Sequence, residues 1–175
     1  MSVTLGGAIS SLIFGSVAAV GSAVSSVTSR VFVEPAVIVS LAGVGAPLLL
    51  GSTYDDILME KDVCAPSLDD KLRALYVESS LATLMEVNPE MAALAEKLEG
   101  AGLNSEESLT IASALGTPHD KLFLLRSKAR RIAKSLRLNP VSPLGVTVDA
   151  FRRRIIKLDE FVRLASYYVL PDSGR

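Results

Sequence analysis

The sequence predicts an all-α protein: a helical bundle carrying an apolar N-terminal arm. Three observations lead there. From residue 54 onward apolar residues recur at spacings of three and four, and no segment alternates apolar with polar over the length of a strand. N-cap residues, helix-opening prolines and helix-ending glycines break the chain into lengths joined by a few residues, which suits antiparallel neighbours in a bundle. Finally, Phe151, Ile155, Leu158, Val162, Ala165 and Val169 keep a regular 4-3-4-3-4 spacing, the cleanest amphipathic pattern in the chain.

The first element is the arm, residues 1–53, in which Arg30 and Glu34 are the only charges. Residues 1–29 have the length of a membrane span. They are dense in Gly, Ser and Thr, and they lack a flanking basic cluster or an interfacial Trp or Tyr. The same lack of basic residues argues against a secretory signal. A second uncharged run, residues 35–54, reads as a helix to about Gly43, a bend at Pro47 and a short apolar turn. An arm this apolar must be buried in lipid, in its own core or against a partner. Phe14, Val17, Val20, Val37 and Leu41 are its candidate contacts with a second copy.

The remainder, residues 54–175, reads as a helical domain. Ser67 precedes a helix running to about Met85, with Asp69 and Asp70 in its first turn, where the helix dipole favours acids. Asn88-Pro89 opens the next, with Met91, Leu94, Ala95 and Leu98 as its stripe and Gly100 and Gly102 at its end. Ser105 starts a short helix that closes at Gly116. Thr117-Pro118 opens a long basic one to about Leu138, and Asn139-Pro140 and Ser142-Pro143 form a stiff linker. Thr147 caps the last helix, which ends at Leu170-Pro171.

Charge is segregated. Residues 54–116 hold 13 acidic and 4 basic side chains, whereas residues 117–175 hold 5 acidic and 13 basic. The two blocks are expected to pack together within one subunit or to meet between subunits, with Arg130, Arg131 and Arg153 as candidate contacts. Helices would then be exchanged between neighbours.

Composition excludes several classes. A chain that is 49% hydrophobic and 21% charged has too much apolar surface for intrinsic disorder. Cys64 is alone, so there is no disulfide scaffold. His119 is the single histidine; its neighbour Asp120 would not face it on a helix, and a surface or interface role is expected. Cys64 reads as a small buried hydrophobe. Asp55, Asp56, Glu60 and Asp62 are the candidate metal ligands, for calcium held at a subunit interface. Their spacing lacks the glycine and terminal Glu of an EF-hand loop. No phosphate loop, nucleophile elbow, metalloprotease helix or paired-Cys motif is present, so an enzyme is not expected. The basic residues 121–137 and Arg152-Arg153-Arg154 could meet nucleic-acid phosphates, but no phosphate loop or aromatic platform stands beside them and the net charge is not basic, so a solvated or subunit-facing surface is the expectation.

One stretch carries a family resemblance. Pro35-Ala36-Val37, an apolar run, Gly51-Ser52-Thr53-Tyr54-Asp55 and the acidic start Asp56-Ile57-Leu58-Met59-Glu60 resemble the outer nucleocapsid shell protein of cystoviruses, the enveloped double-stranded-RNA bacteriophages. The charge-poor first third and the Tyr167-Tyr168 pair on the last helix are similar too. The resemblance implies a non-enzymatic capsid protein of the virion, made in the host cytoplasm. It would form homotrimers in an icosahedral lattice around the inner capsid protein and beneath a lipid envelope. Calcium stabilisation and contact with the host membrane during penetration are implied as well. The alternative expectation is a small membrane-active phage protein, a holin or pore subunit, with residues 3–27 and 35–50 as its apolar segments. A basic-helix nucleic-acid binder is the third.

Overall fold

A computed structural model describes residues 29–169, and a parallel β-sheet lies at their centre, so the all-α bundle is corrected to a mixed α/β fold. Five strands build the sheet: β1 (Arg30–Val33), β2 (Asp56–Glu60), β3 (Ala82–Met85), β4 (Lys121–Phe123) and β5 (Pro140–Val141). Their order is β3-β2-β1-β4-β5 and every pairing is parallel.

The physical reason for the misreading is burial on both faces. Val31, Phe32 and Val33 are all fully buried, so β1 reads as an apolar run and not as an alternation. Alternation is present only in where the side chains go. Val31, Val33, Ile57, Met59 and Phe123 join one hydrophobic layer, while Phe32, Leu58, Leu122 and Leu124 join the opposite one. Strands β2, β3 and β4 fell inside stretches read as helical, and β5 inside the expected linker.

The helices cover both faces. On the first lie α1 (Pro35–Gly43), α2 (Leu49–Thr53) and α3 (Lys61–Ser67). With them lies α4 (Asp70–Arg73), continued by a π-helical turn at Ala74–Glu78. On the second face lie α5 (Pro89–Gly100), α6 (Ser105–Leu115) and α7 (Ser127–Ser135). The chain then returns to the first face with α8 (Pro143–Arg152) and α9 (Leu158–Val169).

Local signals account for the helix ends. Asn88 caps α5 by accepting the Met91 N–H, and Pro89 takes the first helical position. Gly102, at φ +86°, turns the chain out of α5 where a residue with a Cβ would be strained. The expected long basic helix is β4 plus α7, and the expected last helix is α8 and α9 with a corner between them. At that corner Arg154 adopts φ 62°.

The expected N-terminal arm is partly inside this fold. Residues 30–53 supply β1, α1 and α2, and β1 pairs with both β2 and β4. Val37 and Leu41, expected at an interface, are fully buried in the chain's own first layer. Phe14, Val17 and Val20 lie outside the described residues, as do residues 1–28 generally. Among the described residues no helix is long and apolar enough to cross a membrane.

Candidate functional site

The strand order locates the site. From β1 at the centre of the sheet the chain winds outward through β2 and β3, then crosses to the other side of β1 for β4 and β5. The winding reverses at β1 and β4, which pair side by side and whose exits lead to opposite faces, to α1 and to α7. Open parallel sheets bind ligands there.

Glu34 follows β1 directly and is the N-cap residue of α1. Its own N–H donates to the Phe123 carbonyl (3.0 Å), and its Oε2 accepts the Leu125 N–H (2.6 Å), so it clamps the exit of β4 to β1. It is only 2% exposed. Burial pushes its carboxyl up to about 7; the Leu125 amide opposes this, the Glu106 and Glu107 carboxylates add to it, and Arg126 opposes it.

Glu106 and Glu107 come from the first turn of α6, where the helix dipole favours acids. Asn104 and Glu107 form a capping box: the Glu107 N–H donates to Asn104 Oδ1 (2.7 Å) and the Asn104 N–H to Glu107 Oε2 (3.1 Å). Glu107 is fully buried, and Arg126 Nε lies 3.2 Å from its Oε1. That N–H is not aligned on the oxygen, so charge and not a hydrogen bond holds the pair. Glu106 accepts the Ala36 N–H of α1 (3.0 Å) and the Ser67 hydroxyl (3.0 Å). Arg130 reaches back from α7 and donates to the carbonyls of Leu124 (3.0 Å) and Leu125. At the end of β2, buried Glu60 caps α3 by accepting the N–H groups of Asp62 (2.8 Å) and Val63 (2.7 Å).

The arrangement therefore gathers three carboxylates within electrostatic reach of one another, each committed to at least one internal donor or cation. Beside them runs α7, with Ala129 and Ala133 inward and Arg131 and Lys134 outward. Between Asp120 and Asp149 the chain has seven basic residues and no acidic one.

The expected acidic quartet does not assemble. Asp55 and Asp56 lie at the amino end of β2, held by Ser29 (N–H 2.9 Å, Oγ 3.0 Å) and by Arg30 Nε (2.7 Å). Glu60 is the last residue of β2 and Asp62 follows in α3, so both stand at the other end, about 13 Å away at the rise of an extended strand. Among the described residues no group of three or more His, Cys, Asp or Glu could hold a metal ion, and no cofactor is indicated.

Of the expected basic contacts, Arg130 belongs to the site and Arg131 is exposed beside it. Arg153 lies at the opposite edge, donating to Ser29 Oγ (3.2 Å) and the Thr53 carbonyl, with its guanidinium 5.3 Å from the Tyr54 ring centroid. Cys64 is buried, and burial raises its thiol. His119 is half-buried, with Nδ1 2.7 Å from the Thr117 carbonyl oxygen.

Sequence reasoning passed over Glu34, Glu106 and Glu107 as site residues and had Arg126 only as one of the basic residues 121–137. Two signals could have found them: a lone acid closing a Val-Phe-Val run before a proline, and the Asn104-x-x-Glu107 capping pattern. The class defined is a doubly wound parallel α/β domain. No family model, curated protein or solved structure matches the chain.

Proposed function

We propose that the chain binds the phosphate backbone of nucleic acid at the carboxyl edge of its sheet, along α7. The observation that carries this is the one-sided basic helix that begins at the topological switch point. Arg126 is exposed at that end, and Arg131, Lys134 and Arg137 are exposed along the run back toward the amino edge, with no acidic side chain in that part of the sequence. Such a surface attracts a polyanion and releases its counterions. The adjacent carboxylates oppose this less than their number suggests: Arg126 offsets Glu107, and burial raises the Glu34 carboxyl to about 7, so it carries less than a full charge at neutral pH. Binding without base reading is the expected mode, because no exposed aromatic lies on α7.

Fluorescence anisotropy with a labelled single-stranded RNA roughly ten nucleotides long tests this. The double variant Arg131→Glu with Lys134→Glu is expected to weaken binding at least tenfold and to flatten the salt dependence. Arg152→Glu, at the amino edge, serves as the control that leaves binding unchanged. Equal loss from both variants would reject the assignment to α7.

A second reading keeps the shell subunit at its coarsest, as self-association. What supports it is the outer stripe of α9, where Leu158, Val162 and Val169 are each more than half exposed. Calcium in that reading would have to be held between copies. Sedimentation of the wild type against Val162→Glu, with and without calcium, tests it: a monomer throughout would end this reading.

A further inference from the structure

The geometry points to a binding site for a quaternary ammonium ion in the groove between α1, the start of α6 and the end of α9. The groove is open to solvent and offers about 620 Å³, ample for a trimethylammonium head and its substituent. Its outer wall is Tyr167 and Tyr168, whose rings stand at 86° with centroids 5.2 Å apart. Its inner wall is the outward side of α1, including Ala36, Val39 and Ser40. The Ser40 hydroxyl donates to the Tyr168 hydroxyl oxygen (3.3 Å), which ties one ring to α1. Glu106 supplies the sole formal charge among the lining residues.

Aromatic walls, one carboxylate and no lining cation select a positive ligand with an apolar skin. The hydrogen bonding narrows the class further. Both oxygens of Glu106 already accept a bond, from Ala36 N–H and from Ser67 Oγ. A quaternary ammonium needs only the charge and the ring faces, so it enters without displacing either donor.

The test is an NMR titration of the full chain with choline and with its uncharged carbon analogue, in which tert-butyl replaces trimethylammonium. Choline is expected to shift the amides of Ala36, Ser40 and Leu125 saturably, and the carbon analogue to bind at least about tenfold more weakly. Tyr167→Leu keeps apolar bulk at a half-exposed position and is expected to weaken choline binding severalfold with the remaining spectrum intact. Glu106→Gln is expected to erase the preference for charge. Equal binding of the two ligands, absence of saturable shifts at these amides, or an unchanged Tyr167→Leu variant would each overturn the assignment.

Discussion

The two edges of the sheet use the same residue type to opposite effect. At the amino edge Asp55 and Asp149 are ionised anchors. The Ser29 amide and hydroxyl hold the Asp55 carboxyl below its usual range. For Asp149, burial works to raise the carboxyl and is outweighed by the Lys121 ammonium and the Tyr54 hydroxyl, which donates across 2.5 Å. At the carboxyl edge Glu34 goes the other way, raised by burial among other acids. A carboxylate is therefore not a signature of function here; its donors decide its role. Anchors whose donors and cations outweigh burial close the bottom of the fold, while Glu34, where burial outweighs the Leu125 amide and Arg126, leaves the top poised to change charge near neutral pH.

The largest effect that sharpens this contrast is the pH dependence of stability. Glu34 has a folded pKa of about 7 against 4.5 for the free group, so the folded state binds the proton more tightly. Its contribution is fully present below pH 4.5 and is lost as pH rises to 7, about 3 kcal/mol across that window. Urea unfolding at several pH values should show this decline. Glu34→Gln should abolish it and make the protein more stable than wild type at pH 8. Asp149 provides the opposite arm: its lowered carboxyl contributes stability above its free value of 3.8, lost as pH falls below it.

Next in size is Asp149→Ala, which strips partners from the Lys121 ammonium and from the Tyr54 hydroxyl, itself in a 5% exposed residue. We expect a loss of about 2–3 kcal/mol at pH 7 in chemical denaturation. Glu60→Ala removes the cap of α3 and should cost about 1 kcal/mol. The smallest effect is Asp55→Asn, at an exposed position where solvent screens the charge. Its Tm at neutral pH should match wild type within error, and a large drop would mean that the amino edge is more tightly coupled than its exposure implies.

Helix boundaries were legible from the chain where the signal was local. Asn88-Pro89 and Gly102 bound α5, and Gly116 follows α6, because caps and turns are chemistry within a few residues. The strands were not legible, because β1 and β2 are buried on both sides and β5 is two residues long. Their hydrogen-bonding partners lie up to 90 residues away in sequence, as for Val31 and Lys121. The regular stripe on residues 151–169 also misled. It belongs to two helices, and Phe151, Ile155, Leu158 and Val162 remain exposed while Leu164, off the stripe, is buried. The acidic quartet failed for the same reason: neighbours in sequence along an extended strand are separated in space. Glu34, Glu106 and Glu107 meet only because β1 and α6 are brought together by the winding of the sheet.

The most direct test of a functional carboxyl edge is to map amide shifts on adding the single-stranded RNA, since basic residues stand at both edges. We expect the shifts to gather on Arg126 to Lys134 and on the residues after β1. Shifts confined to Ser29 and Arg152 to Arg154, at the amino edge, would contradict the account.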